Sequence, residues 1–249
     1  MSDLLQTNTA SVRTALATFL GCDAAAFEGE SLTMVDRVTP DWPYVALAAT
    51  FGVGTVLSID PLVGDYARGL RTDHHYDALR PPFLGLIATE ARRLERKCSV
   101  SAPVVGWTLA RVPEVPGAPP GFELRRVDVD WMAEEMTRRR FENGIGRPGE
   151  GGREFRNRYG TALFDSAGEP SAVAGAFFTY ADPVREIGVD VARAHRGRGL
   201  GELVVAALVH EILDRGEVPM YACAATNIRS QRTALAAGFL PAFPDAAVA

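Results

Sequence analysis

A glycine-rich turn between a strand and a long apolar helix constrains this chain most. The turn reads Arg196-Gly197-Arg198-Gly199-Leu200-Gly201, the predicted strand before it covers Glu186–Val191, and the predicted helix after it covers Glu202–Arg215. Glycines remove the β-carbons that would keep a ligand away from the backbone, and the first amides of a helix lack partners within it. The sequence therefore predicts a phosphate or pyrophosphate site at this turn.

Two familiar phosphate-binding patterns do not fit this turn. No Lys-Ser or Lys-Thr pair follows Gly201, as a P-loop requires, and no first βαβ unit surrounds the turn, as a Rossmann fingerprint requires. The turn instead resembles the Arg/Gln-x-x-Gly-x-Gly/Ala signature of the GNAT superfamily of acyl-CoA-dependent N-acyltransferases. Downstream of the next predicted strand, Val218–Ala225, the residues Asn227-x-x-Ser230 and Gly238-Phe239 resemble the closing pattern of the same superfamily.

The order of predicted elements between Phe122 and Phe243 resembles the same superfamily. We expect an α/β fold of the α+β type, with a central mixed β-sheet flanked by helices. The segment 113–121 contains four prolines and two glycines, which predicts a domain boundary. We place an N-terminal α/β accessory domain at 1–118 and the GNAT-like acyl-CoA-binding catalytic domain at 119–249. A degenerate copy of the same fold is the alternative for the N-terminal half.

Periodicity within the N-terminal half predicts a helix over Thr9–Leu20 and strands over Tyr44–Thr50 and Val53–Ile59. The uncharged stretch Trp42–Ile59 is near the length of a membrane span, but its glycines and β-branched residues favour two buried strands. The tract 72–77 combines two histidines with two aspartates, and we expect a solvated loop there with no metal.

Predicted elements of the C-terminal half surround the glycine turn. Asp130 is the expected N-cap of a helix over Trp131–Glu142, and the loop Asn143–Gly152 follows it. The resemblance makes this loop a candidate acceptor gate, and a flexible surface loop is the alternative. Strands are predicted over Gly160–Asp165 and Ser171–Tyr180.

The resemblance implies how the cosubstrate acetyl-CoA would be held. Backbone amides of the turn would hold the pyrophosphate, and the backbone of Val189 and Val191 would pair with the pantetheine arm. The strands containing Glu186 and Cys223 would diverge to leave a slot for that arm. Asn227 and Ser230 would contact the arm or the phosphates, although Asn227 could instead cap the next helix. The turn residues implied are Arg196, Gly197, Arg198, Gly199 and Gly201.

Catalysis requires a base for the acceptor amine and a proton for the departing thiolate. Glu186 is the first candidate for the base and Asp190 the second, and Tyr180 is a candidate for the acceptor site. Many members of the superfamily carry a tyrosine seven residues after the asparagine, and this chain has Ala234 there. Another group, Tyr221, Cys223 or Ser230, or solvent, would then supply the proton.

Composition limits the classes of partner. A net charge of −5 and a pI near 5.5 give no support for a nucleic-acid or anionic membrane surface. Three well-separated cysteines favour a reducing cytoplasm, and the N-terminus lacks the pattern of a signal peptide. We expect an N-acetyltransferase acting on a small-molecule amine, with the N-terminal half shaping the acceptor cleft or a homodimer contact. The alternatives are a catalytically silent acyl-CoA sensor or scaffold, and a transferase whose donor is a carrier protein or charged transfer RNA.

Overall fold

The computed structural model describes residues 3–38, 44–138, 140–146 and 157–249. The helices within these residues are α1 Asp3–Leu20, α2 Pro61–Gly69, α3 Pro81–Arg93, α4 Val129–Thr137, α5 Glu142–Ile145, α6 Leu200–Asp214 and α7 Ile228–Ala236. The strands are β1 Leu32–Asp36, β2 Ala46–Thr50, β3 Thr55–Ile59, β4 Val104–Leu109, β5 Phe122–Asp128, β6 Asn157–Asp165, β7 Pro170–Phe177, β8 Val184–Val191, β9 Val218–Ala224 and β10 Phe239–Val248. Parallel and antiparallel pairs both occur, so the expected mixed α/β class is confirmed.

Contacts between Cα atoms divide the chain into two compact units. The first, here named the glycine-turn unit, comprises Met1–Ser11, Trp107–Ala222 and Ile228–Leu240. The second, named the hairpin unit, comprises Val12–Gly106, Cys223–Asn227 and Pro241–Ala249. The boundary placed at residue 119 stays a prediction.

The hairpin unit is built around the antiparallel pair β2 and β3, whose register runs from Ala46↔Ile59 to Thr50↔Thr55. β1 joins β3 in parallel, and β10 joins β2 antiparallel. Every residue of β2 and β3 is buried, so the strand interpretation of the uncharged stretch is confirmed for its described part; Trp42 and Pro43 lie outside the described residues. Among the helices described, none combines the length and the hydropathy needed to cross a membrane.

The tract 72–77 is more ordered than the expected solvated loop. His75 begins a 3₁₀ helix that ends at Leu79, and its Nδ1 lies 2.8 Å from the hydroxyl of the buried Thr55. Asp77 accepts hydrogen bonds from the amides of Asp73 and His74. The pKa of the Asp77 carboxyl is lowered, mainly by the His74 amide. The described residues contain no group of three or more metal-ligating side chains.

The glycine-turn unit contains the strand order β9-β8-β7-β6-β5. β5 to β8 pair antiparallel in chain order, and β8 pairs with β9 in parallel. α6 packs against β6, β7 and β8, and α5 packs against β7 and β8. Apolar residues on nearly every side of α6 are buried, as the sequence predicted for this helix: Leu203, Val204, Val205, Leu208, Val209 and Ile212.

Three expectations about the C-terminal half are wrong in detail. The N-cap of α4 is Asp128, because its carboxylate accepts the Trp131 amide at 2.9 Å, and the helix starts one residue before Asp130. α4 ends at Thr137, and Glu142–Ile145 form the separate α5. β7 ends at Phe177, so Tyr180 lies in the turn before β8 and not in a strand. In addition, β10 had no local signal and was not predicted.

Candidate functional site

The ladder between β8 and β9 is short. It runs from Val184↔Val218 to Ile187↔Tyr221 and ends there, whereas the ladder between β8 and β7 continues to Val191↔Ala172. The last four residues of β8, Gly188–Val191, therefore have ladder partners on the β7 side and none on the β9 side. The resemblance implied that these two strands diverge, without giving the position, and the ladder between them stops at Ile187↔Tyr221. Extended backbone without a ladder partner on one side can accept another extended chain.

Alternation along β8 assigns its side chains to two faces. The register with β7 has no shift, so Glu186, Gly188 and Asp190 share one face, and Ile187, Val189 and Val191 share the other. A β-carbon placed at Gly201 would lie 3.4 Å from Cγ2 of Val191, which puts Val191 on the α6 side. The Asp190 carboxylate accepts hydrogen bonds from α5 on the opposite side. Glu186 therefore shares the α5 face.

The glycine turn presents open backbone. Gly197 and Gly199 have φ values of +78° and +76°, which disfavour L side chains, and a β-carbon at either position would meet no atom of the described residues within 4 Å. Gly199 is the N-cap of α6 and, as a glycine, has no side chain that could cap the helix. Among the described residues, the space beside Gly197 and Gly199 is open next to the first amides of α6. This arrangement suits a bound anion.

Arginine side chains surround the turn. Nε of Arg196 donates to the carbonyl oxygen of Val191 at 3.0 Å, which holds the turn against the end of β8. The Arg198 guanidinium lies over the Phe122 ring at 5.1 Å, and its Nη1 lies 3.4 Å from Nδ1 of His195. Arg193 precedes them in the chain. A protein of net charge −5 thus concentrates positive charge at this turn, which favours a phosphate ligand.

Gly201 differs from the two glycines before it. A β-carbon there would lie 3.4 Å from Val191 and 3.8 Å from Thr233 of α7, which are ordinary packing distances. This position therefore marks where the start of α6 meets β8 and α7. The arrangement keeps the turn, the end of β8 and α7 together within the glycine-turn unit.

Ser230 on α7, which we expected to contact acetyl-CoA, has a side-chain partner that the sequence did not indicate. The hydroxyl oxygens of Ser230 and Tyr221 lie 2.8 Å apart, and Tyr221 is only 1% exposed. Tyr221 stands at the last rung of the β8–β9 ladder. Ala234 is fully buried one turn after Ser230. Of the three side chains suggested as a proton source, Tyr221 and Ser230 are thus brought together.

Asn227 and Cys223 belong to the hairpin unit. Asn227 directly precedes α7, which is the position of a capping residue, and its amide donates to the carbonyl of Ala224 at 2.8 Å. Both roles considered for Asn227, ligand contact and capping, stay predictions.

The two candidate catalytic residues, Glu186 and Tyr180, differ in their distance along the chain from the end of the β8–β9 ladder. Glu186 is half-buried one residue before the last rung of the ladder, opposite Phe177 on one side and Met220 on the other. Tyr180 is half-buried in the turn that leads into the start of β8. Glu186 is therefore next to the point of divergence, and Tyr180 lies toward the opposite end of the strand.

Part of the candidate acceptor gate lies within the described residues. Residues 143–145 belong to α5 and Gly146 follows, whereas 147–152 of that predicted loop lie outside the described residues. The link between α5 and Asp190 was not predicted, because no local spacing relates residues 47 positions apart.

Comparison with known proteins gives one family. The family model described as GNAT acetyltransferase matches residues 118–243, about half of the chain. No curated protein matches.

The solved structures that match this chain include three GNAT-type proteins. A GNAT-family protein from Novosphingobium aromaticivorans is 27% identical, with 61% of this chain and 66% of that one covered and a TM-score of 0.45. An N-acetyltransferase-like protein from Streptococcus suis is 17% identical, with 64% and 67% covered and a TM-score of 0.45. A tandem GNAT protein from the clavulanic acid biosynthesis pathway is 19% identical, with 65% and 57% covered and a TM-score of 0.45. The chain thus matches about two thirds or less of their length.

Proposed function

Because the chain belongs to the GNAT acetyltransferase family, we propose that it transfers an acetyl group from acetyl-CoA to the amine of a small molecule. Membership supports acyl transfer from CoA in general. The amine acceptor, the acetyl preference and activity in the cytoplasm are parts of the proposal. A homodimer is a further part of the proposal.

One observation carries the proposed donor site, namely the space at Gly197 and Gly199, open among the described residues, beside the start of α6, whose N-cap is a glycine. Backbone amides between Arg196 and Gly201 would hold the pyrophosphate of acetyl-CoA. The backbone of Val189 and Val191 would pair with the pantetheine arm, which is consistent with a β8–β9 ladder that ends at Ile187. Asn227 and Ser230 would contact the arm or the phosphates.

The proposed chemistry needs no covalent enzyme intermediate. Acetyl-CoA supplies an acetyl group activated as a thioester. Glu186 would take a proton from the acceptor ammonium directly or through water, and the free amine would attack the thioester carbonyl. The C–N bond forms as the C–S bond breaks, and the amine loses its second proton to solvent. Tyr180 would contribute to the acceptor side.

The departing thiolate receives its proton from the Tyr221–Ser230 hydroxyl pair or from solvent in this proposal. The pair lies at the last rung of the ladder, whereas the usual tyrosine position is the buried Ala234. That same alanine favours a second candidate function, a domain that binds acyl-CoA without turning it over. A broad panel of amines distinguishes the two functions, because only the enzyme releases free thiol.

A matched pair of glycine variants tests the donor site. Gly199→Val places a branched side chain in the open corner, and Gly168→Val does the same in the β6–β7 turn, where φ is +78° and the space is equally open. Both variants should lose a similar ~1–2 kcal/mol of folding free energy through the positive φ. Only Gly199→Val should lose CoA affinity, by about a hundredfold or more, because it blocks the approach of a phosphate.

Calorimetric titration with CoA and thermal melting measure the two effects separately. Equal CoA affinity in Gly199→Val and Gly168→Val would remove the proposed donor site. Competition by free CoA against acetyl transfer also separates a CoA donor from a carrier protein or charged transfer RNA.

A further inference from the structure

A carboxylate from a distant strand caps the short helix α5. Phe141, the N-cap residue, offers no side-chain hydrogen bond. Instead, Oδ2 of Asp190 accepts the amides of Asn143 at 2.6 Å and Gly144 at 3.3 Å, and Oδ1 accepts Nδ2 of Asn143 at 2.9 Å. Asp190 therefore satisfies two amides that a helix of this length cannot pair internally.

Two glycines allow α5 to lie directly on the sheet backbone. A β-carbon at Gly188, on the same face of β8 as Asp190, would overlap the carbonyl oxygen of Asn143. A β-carbon at Gly144 would lie 2.7 Å from the carbonyl oxygen of Val173 on β7. Backbone thus meets backbone at both points, and the carboxylate fixes the register of this contact.

The residue after Asp190 contacts the glycine turn on the other face of the same strand. Val191 packs against the start of α6 at Gly201, and its carbonyl oxygen accepts Nε of Arg196. Two consecutive residues of β8 therefore contact α5 on one face and the turn on the other. A change in the order of this end of β8 therefore affects both α5 and the glycine turn.

We propose that Asp190 is a positioning residue that fixes α5 on the strand used by the acyl donor, so that donor binding and order on the acceptor side are coupled. The part of this proposal that concerns donor and acceptor rests on the proposed function. The three hydrogen bonds engage both carboxylate oxygens and use three of their roughly four lone-pair sites, which favours a positioning role for Asp190 over the role of a base. Glu186, on the same face of β8, remains the proposed base.

Hydrogen exchange of residues 141–146 tests whether Asp190 holds α5. The variant Asp190→Ala removes the three hydrogen bonds. Asp165→Ala is the matched control, because the Asp165 carboxylate also accepts two backbone amides, those of Ala167 at 2.9 Å and Glu169 at 3.0 Å. Exchange at 141–146 should rise about tenfold or more in Asp190→Ala and stay unchanged in Asp165→Ala. Unchanged exchange in Asp190→Ala would overturn the proposal.

Adding CoA tests the coupling. CoA should slow exchange at 141–146 in the wild type and have no such effect in Asp190→Ala. Equal slowing in both proteins would overturn the coupling. Failure of the wild type to bind CoA would overturn the proposed function and the coupling together, while the exchange comparison without CoA would still decide whether Asp190 holds α5.

Steady-state kinetics distinguish a positioning residue from a catalytic base. The variant Asp190→Asn is used for this test and also replaces Asp190→Ala if that variant does not fold. In Asp190→Asn, kcat/KM for the amine should fall about 10-fold to 100-fold, mainly through KM, with the shape of the pH–rate profile retained. Loss of the basic group from that profile, with KM unchanged, would make Asp190 the base and overturn the positioning role.

Discussion

Glycines in the glycine-turn unit have two opposite functions at the scale of single residues. Gly197 and Gly199 leave space that no atom of the described residues fills, and that space can admit a ligand. Gly144 and Gly188 have no β-carbon because another backbone occupies the place where it would be. Substitution of Gly197 or Gly199 is therefore expected to change ligand binding, whereas substitution of Gly144 or Gly188 is expected to displace α5.

Glu186→Gln is the residue-scale prediction, since an amide keeps the size of the side chain but cannot take a proton. We expect kcat to fall about 10²-fold to 10⁴-fold with CoA affinity unchanged. Steady-state kinetics measure kcat, and calorimetric titration measures the CoA affinity. Tyr180→Phe serves as the comparison and should lower kcat much less, because it removes a hydroxyl on the acceptor side and not the proposed base. A full rate in Glu186→Gln would show that the base is elsewhere.

β8 is the element on which the candidate site depends. Its first residues are held by a buried ion pair: Arg185, 2% exposed, contacts Glu217 after α6 and the exposed Asp182 before β8. Tyr159 on β6 donates to the same Glu217, and burial raises the pKa of its phenol well above the usual value. The start of β8 is thus linked through Glu217 to the turn between α6 and β9 and to β6, while its last four residues have no ladder partner on the β9 side.

A pair of substitutions around Arg185 tests this anchoring at the element scale. Glu217→Gln leaves a buried guanidinium with less compensating charge and should cost about 3 kcal/mol of unfolding free energy. Asp182→Asn removes the exposed partner, whose side chain is 68% exposed, and should cost less than about 1 kcal/mol. Denaturant unfolding of the two variants measures the difference. Equal costs would mean that burial does not set the strength of this contact.

The chain as a whole passes between its two compact units more than once. The last nine residues, 241–249, belong to the hairpin unit, where β10 pairs with β2 from Asp245↔Ala49 to Val248↔Ala46. Phe243, Ala246 and Val248 are each no more than 1% exposed. The hairpin unit is therefore completed by residues that come after the whole of the glycine-turn unit in sequence.

Removing residues 241–249 is the prediction at the scale of the whole molecule. A chain that ends at Leu240 leaves one side of β2 without its partner strand and should lose several kcal/mol of stability, a large part of a net ~5–15 kcal/mol. Amide exchange in β2 and β3 should accelerate. The full-length variant Leu240→Ser, at a position 41% exposed, should behave like the wild type. Slow exchange in the truncated chain would show that β10 is dispensable.

The sequence by itself determined the elements whose causes are local. The glycine turn, the buried α6 and the hairpin of β2 and β3 each rest on residues within about fifteen positions of one another, where periodicity and backbone freedom act directly. The family resemblance rests on three short motifs of the same local kind. The strand–turn–helix order around Gly199 was predictable for the same reason, although the helix starts at Leu200, two residues earlier than expected.

Only the tertiary structure decided the contacts that join distant segments. It paired Asp190 with α5, Tyr221 with Ser230, Arg185 with Glu217 and β10 with β2, and it ended the β8–β9 ladder at Ile187. An Asp that caps a distant helix has the same local sequence as an Asp that takes a proton. The physical reason is that a hydrogen bond or a strand pairing depends on which groups folding brings within about 3 Å of each other, and the spacing of residues along the chain does not determine this.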